Sequence, residues 1–338
     1  MESTDYEAYE DDYFANCTSS DQDCIRDLSE PLGTSPFIAL TVFKSLSGVI
    51  VLIGSVYTIS LLAKTVPKYV LSRYVVTSTL SIILMLLVLP FDLATSYNRS
   101  WIFGYVLCQG RNSLFTLSGL VHSGMQVGIC INTYIEESKS TPNSKLRSTA
   151  FKITSIVSWS FALAVSYVMY TRSEILELQN STFCIISVKM IDFDVTGGLY
   201  SLINILTSVV PIIVSWILLG LAVSRKRTQP AAISLEEPTS VSWTLQKRSK
   251  QLTFAITITF TIFSMVHAAP SFMYKFISEV STLEYMNKII YMTAYLFPVS
   301  FIIDLVLYVI FMRDACKHFK KMGLSVDDPP VVPLMPVD

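Results

Sequence analysis

Seven apolar stretches, each long enough to cross a bilayer, constrain this chain more than any other feature. They run over 37–63, 74–97, 106–131, 151–170, 197–223, 252–274 and 286–312. A helix rises about 1.5 Å per residue and the hydrocarbon core is about 30 Å thick, so about 20 mostly apolar residues suffice for a crossing. Only helices or closed barrels satisfy their backbone polar groups in lipid, and runs of this length are helical. The composition agrees, with 51% hydrophobic and 15% charged residues and a mean hydropathy of +0.51. The expected fold is an all-α membrane protein: a seven-transmembrane bundle over 37–312, an arm over 1–36, and a tail over 313–338 that opens with a short amphipathic eighth helix.

Lysine and arginine set the expected orientation, because basic residues stay on the cytoplasmic side. One set of connections holds Lys64, Lys68 and Arg73, then Lys139, Lys145, Arg147 and Lys152, then Arg225, Lys226, Arg227, Lys247, Arg248 and Lys250. Arg313, Lys317, Lys320 and Lys321 follow the last crossing. The pattern predicts an outer N-terminus and a cytoplasmic C-terminus, with the first crossing as insertion signal, since the acidic first 30 residues lack an apolar core. Three sequons, at Asn16, Asn98 and Asn180, fall on the predicted outer side as candidate glycosylation sites. Cys17, Cys24, Cys108 and Cys184 fall there too, where disulfides persist. Cys130 reads as a small buried hydrophobe within the third crossing. Cys316, among Lys317, Lys320 and Lys321 at the inner surface, is a candidate for palmitoylation.

The arm is strongly acidic. Within residues 1–30, Glu2, Asp5, Glu7, Glu10, Asp11, Asp12, Asp21, Asp23, Asp27 and Glu30 stand against the single Arg26, interleaved with Tyr6, Tyr9 and Tyr13. Low hydrophobicity and high charge leave such a segment no core of its own. It reads either as a solvated tail or as an electrostatic lure for a basic protein ligand, which would raise the on-rate and weaken with salt. The tyrosines beside acids resemble sulfation sites.

Trp101-Ile102-Phe103-Gly104, followed by Cys108, resembles the W-x-F-G-x-x-x-C segment of chemokine receptors, which are rhodopsin-like G-protein-coupled receptors. Leu89-Pro90-Phe91, Trp159, Pro211, Pro270 and Tyr308 match further positions of that family in order, and the acidic tyrosine-bearing arm is similar. The resemblance implies a disulfide from Cys108 to Cys184, holding the second outer loop beside the ligand entrance. It implies a basic chemokine as extracellular ligand, a heterotrimeric G protein as inner partner, and a plasma-membrane location. Relatives often tie the arm to the third outer loop, but residues 275–287 hold no cysteine. Cys17 and Cys24 therefore either pair with each other or leave one thiol free.

The departures from the family pattern are equally specific. Asn132-Thr133-Tyr134 stands where the family has D-R-Y, and Thr133 lacks the permanent charge of the family arginine. Asp304-Leu305-Val306-Leu307-Tyr308 replaces N-P-x-x-Y, and His267-Ala268-Ala269-Pro270 replaces C-W-x-P. Ile82 takes the place of the second-helix acid, Ser55 that of the first-helix asparagine, and Leu219 that of the fifth-helix tyrosine. Such erosion resembles that of herpesvirus-encoded homologues of these receptors. Losing inactive-state restraints would raise basal signalling; losing the arginine would instead uncouple the receptor and leave a ligand-sequestering decoy. A trafficking or dimerisation partner of other receptors is a third reading.

An acid in mid-membrane is a functional hypothesis by default. Asp304 reads either as a hydrogen-bonded structural acid or as a protonation switch, with His267 as candidate partner. Asp92, Arg111, Glu174, Lys275, Glu284 and Lys288 are candidates to line a polar entrance, and Ala294 removes the acid that many relatives carry in the seventh helix. Basic inner flanks suit anionic membrane lipid and a G protein. The tail after 322 has Ser325 as its only hydroxyl, which predicts weak phosphorylation-dependent silencing. An enzyme is not expected: the sequence has no G-x-S-x-G, no phosphate loop and no metal-spaced set among three histidines. No cofactor, metal or nucleic-acid partner is implied. Nor is a retinal pump, since Lys288 lies at the outer start of the seventh crossing, or a transporter, since no internal repeat is visible.

Overall fold

The computed structural model describes residues 34–65, 70–98, 100–138, 144–178, 181–186, 208–228, 240–273, 298–311 and 313. The first passage is α1 (Thr34–Thr65). The second is a broken pair, α2 (Val70–Leu86) and α3 (Leu89–Asn98). The third and fourth are α4 (Gly104–Ser138) and α5 (Ser144–Thr171). A hairpin of β1 (Ser173–Leu178) and β2 (Ser181–Ile186) follows. The fifth, sixth and seventh are α6 (Val210–Thr228), α7 (Ser240–Met273) and α8 (Pro298–Phe311). Five passages are long and apolar enough to cross a membrane, and α6 and α8 add shorter apolar helices. The architecture is the expected seven-helix bundle. The amphipathic helix expected after residue 312 lies outside the described residues, as do the arm with Cys17 and Cys24, Asn16, Asn180 and Cys316.

The break in the second passage follows from Pro90, which has no N–H to donate to the preceding turn. The chain tightens just before it: Leu87 N–H bonds to the Leu84 carbonyl at 3.2 Å and Val88 to Met85 at 3.0 Å, three residues back rather than four. Helix resumes as Asp92 N–H reaches the Val88 carbonyl at 3.2 Å.

The third passage is the axis of the bundle. Over half of its apolar window (56%) is buried, against 17% for the fourth, which shows Ile153, Ile156, Val157 and Leu163 to the surroundings. Exposed apolar side chains on α1 and α5 are the lipid-facing surface of a membrane bundle. Van der Waals packing rather than the hydrophobic effect joins helices in lipid, which favours small residues at crossings. Gly124 and Gly128 on α4 serve this role. A Cβ on Gly124 would lie 2.2 Å from Ser158 Oγ on α5, and one on Gly128 would lie 2.3 Å from the Tyr74 ring on α2. The core around this crossing includes Val75, Ile82, Val121, Met125 and Ile129, joined by Leu305 and Tyr308 of α8.

Three helices run past the apolar windows that define them in sequence. α4 continues from 131 to Ser138, α5 begins at Ser144 rather than 151, and α7 begins at Ser240 rather than 252. Hydropathy marks where lipid ends, not where backbone hydrogen bonding ends. The hairpin is the other feature that an all-α expectation does not contain; it pairs in antiparallel register, with Ile175 opposite Cys184.

Candidate functional site

Three polar layers cross the bundle. The first lies at the end that carries the disulfide. Cys108, at the start of α4, is bonded to Cys184 of β2, with Cα atoms 5.5 Å apart. Gly104 opens α4 with φ of 77°, a left-handed conformation that only glycine adopts without strain, which accounts for the glycine of the W-I-F-G segment. Trp101 is buried, donates from Nε1 to the Gly104 carbonyl at 2.9 Å, and packs with Phe91 and Phe103 at ring separations of 6.3 and 5.2 Å. Its backbone N–H bonds to the Thr182 carbonyl at 2.6 Å, so the aromatic cluster anchors the hairpin beside the disulfide.

Beneath the hairpin, Asp92 of α3 accepts from Lys44 Nζ at 3.0 Å and from Arg111 Nε and Nη2 at 2.9 and 2.8 Å. Arg111 Nη1 also donates to Asn112 Oδ1 at 2.6 Å, and Asn112 Nδ2 donates to Ser173 Oγ at 3.0 Å. Asp92 and Arg111, expected as separate lining groups, are thus tied to each other and to Lys44, a partner that sequence reasoning missed. The reason is geometric: one carboxylate has lone pairs enough for two cations, and little water reaches it. Glu174 lies half-buried on β1. Lys275, Glu284, Lys288 and Ala294 lie outside the described residues. At the same end, Asn98 is exposed and donates to the Ala94 carbonyl at 2.8 Å, while Ser100 and Thr182, the hydroxyl residues of two sequons, are hydrogen-bonded to each other at 2.9 Å.

The second layer is mid-bundle. Asp304 is 1% exposed, and its partner is His122 of the third passage, with Nε2 at 3.4 Å from Oδ2. His122 is a partner that sequence reasoning did not name; the expected His267 lies on α7 with its side chain outside the described residues, as does that of Pro270. Tyr308 is fully buried and joins the same layer. The signal for His122 was present in the sequence: a histidine in a long apolar run, four residues before Gln126, puts two polar groups on one helical face.

The third layer lies at the opposite end. Thr133 Oγ1 is 2.8 Å from Thr253 Oγ1 of α7, so a neutral hydrogen bond stands where the family pattern has an arginine. Asn132 Oδ1 accepts from Arg147 Nε at 3.0 Å. Tyr134 is half-buried one residue on. One turn further, Arg147 of α5 forms an ion pair with Glu136, and Lys250 of α7 forms one with Glu137. Ser249 donates to Glu136 at 3.2 Å. These acids and their partners sit on the helical extensions beyond the apolar windows, which is why hydropathy did not single them out. Beside them lies a cavity of about 430 Å³ between the third, fifth and sixth passages, lined by Thr133, Glu137, Leu219, Ala222, Lys250 and Phe254 among others. Leu219, where relatives carry tyrosine, makes part of its apolar wall.

No group of three or more histidine, cysteine, aspartate or glutamate side chains able to hold a metal ion is found among the described residues. No curated protein matches the chain significantly. The family model described as 7 transmembrane receptor (rhodopsin family) matches residues 54–308, a span that takes in all three polar layers apart from Lys44. The chain belongs to the rhodopsin family of seven-transmembrane, G-protein-coupled receptors.

Proposed function

We propose that this plasma-membrane receptor binds basic, chemokine-type protein ligands through its acidic arm and activates a G protein at the end that holds Glu137 and Lys250. The N-terminus is then extracellular and the C-terminus cytoplasmic. The acids of the arm, Asp5, Glu7, Glu10, Asp11 and Asp12, with Tyr6, Tyr9 and Tyr13, supply the long-range attraction. The frame of Trp101, Cys108 and Cys184 holds the hairpin where a docked ligand would meet the bundle. Glycans at Asn16, Asn98 and Asn180, a Cys17–Cys24 bond and a palmitoyl group on Cys316 belong to the same orientation.

One observation favours coupling over sequestration. The junction of the third and sixth passages is rebuilt rather than erased, with Thr133 on Thr253 and Glu137 on Lys250 beside a cavity. A receptor that only sequesters ligand has no need of a breakable contact there. The Lys250 side chain of that pair is 30% exposed and the Glu137 side chain 6%, so parting them leaves an acid where little water reaches it. The permanent charge of the family arginine is missing from Thr133, and each loss of about 1.4 kcal/mol of restraint moves the active-to-inactive ratio tenfold. Basal activity follows.

The test pairs ligand-independent G-protein activation in transfected cells with binding of a labelled chemokine panel. Basal signalling above mock, with binding that weakens as salt rises and is lost on removing residues 1–30, is the expected result. Binding without any signalling would establish the sequestering reading. Neither binding nor signalling would leave a partner role for other receptors.

A further inference from the structure

Midway along the bundle, five polar side chains from three passages close on one another. His122 Nδ1 lies 3.0 Å from Ser78 Oγ on α2, and His122 Nε2 lies 3.4 Å from Asp304 Oδ2 on α8. Gln126 Nε2 is 3.4 Å from His122 Nε2 and donates to the Tyr308 hydroxyl at 3.3 Å. Tyr308 in turn donates to Ser78 at 3.3 Å. All five are at most 5% exposed. The His122 ring is walled by Phe301 at 5.1 Å and Phe260 at 6.5 Å. Asp304 Oδ1 is buried with no hydrogen-bond partner among the described residues.

A carboxylate so placed is costly unless its charge is met or removed. Proton counting gives three conditions for the pair. With one proton it is neutral overall, either as imidazolium and carboxylate or as imidazole and carboxylic acid, and both arrangements hydrogen-bond. With two protons an uncompensated cation is buried. With none, the neutral ring can still donate Nε2–H to Asp304 while Nδ1 accepts from Ser78, but a carboxylate charge is left buried without a counter-charge. The Gln126 amide suits either one-proton arrangement by a half-turn, offering N–H to a bare Nε2 or its oxygen to an Nε2–H. Among the described residues the ionisable groups facing His122 are Asp304 and the Tyr308 phenol. The second passage presents Ser78, the sixth Phe260, and the first meets this stretch of α8 through Gly54 against Leu305.

We infer that His122 and Asp304 form a clasp between the third and seventh passages, tightest with one shared proton and weakened by gain or loss of a proton. The clasp rests on the receptor reading only for its effect on signalling: opening it frees α8 from α4 and raises the active population.

The experiment uses the purified full chain in lipid nanodiscs, with melting temperature and basal nucleotide exchange on added G protein both measured from about pH 5 to 8.5. Wild type is expected to show one stability maximum, with basal exchange lowest at the same pH. His122→Gln and Asp304→Asn each lose the maximum and flatten both profiles. Combining them costs no more than the worse single change. The exchanged pair, His122→Asp with Asp304→His, regains the maximum, and Asp304→Glu retains it. Single variants that keep the wild-type profile, or losses that add in the combination, overturn the clasp. A stability maximum with no exchange in any sample supports the clasp and instead removes the signalling proposal.

Discussion

The two ends of the bundle solve the same electrostatic problem in opposite ways. At the disulfide end one carboxylate, Asp92, serves two cations, Lys44 and Arg111, and a covalent bond fixes the hairpin above it. At the other end two carboxylates on one helix, Glu136 and Glu137, each take a base from a different neighbour, Arg147 and Lys250. The first arrangement ties α1, α3 and α4 to a single carboxylate. The second divides its contacts, since the fourth passage meets Glu136 through Arg147 while the sixth meets Glu137 through Lys250 and Glu136 through Ser249. In the proposed orientation, a stapled frame on the ligand side and divided contacts on the coupling side suit a transmembrane switch.

The comparison is broken most severely at Asp92. Asp92→Ala leaves Lys44 and Arg111 without their acid, and a broken buried pair costs about 3–5 kcal/mol. Surface expression is expected to fall sharply, and thermal denaturation of the solubilised receptor measures the loss. Next comes the staple: Cys108→Ser removes the loop constraint, worth about 2–4 kcal/mol, with ligand binding lost before folding, read as binding per receptor at the surface. Gly128→Val pushes α4 off Tyr74. Overpacking of this kind costs about 1–3 kcal/mol, and Gly124→Val behaves alike against Ser158, both seen in the same denaturation assay. The smallest effect is at Thr133→Val, which removes the hydroxyl that meets Thr253 across the helices and the Ile129 carbonyl within its own, neutral hydrogen bonds worth about 1 kcal/mol each. Stability barely moves, and basal activation rises several-fold because the lost bond to Thr253 joins the passages that separate.

What the sequence made legible follows from what carries its own signal. Lipid-length apolar runs announce the passages on their own. Trp101, Gly104 and Cys108 were singled out by family resemblance, and their local roles, a positive φ at Gly104 and the Trp101 hydrogen bond to it, came from the structure. Cys184 entered through family resemblance alone. The charge partners were not legible. Lys44 lies 48 residues from Asp92, and His122 lies 182 residues from Asp304, so only the packed bundle brings them together. Glu136, Glu137, Arg147 and Lys250 were visible as charges, and two of them served to orient the chain. Their pairing was hidden because it sits on helical turns beyond the apolar windows, where hydropathy has no opinion about secondary structure. The loss of arginine at Thr133 looked like erosion in sequence; in three dimensions an ion pair joins the same two passages one turn along, acid on the third and base on the sixth.

That ion pair is tested most directly by charge reversal. Basal G-protein activation is measured in cells, at matched surface expression, for Glu137→Lys, for Lys250→Glu and for both together. Each single reversal sets like charges against each other and is expected to raise basal activation; the double reversal restores opposite charges and returns it to the wild-type level. Single variants indistinguishable from wild type, or a double variant whose activation is the product of the two singles, would contradict a restraint carried by this pair.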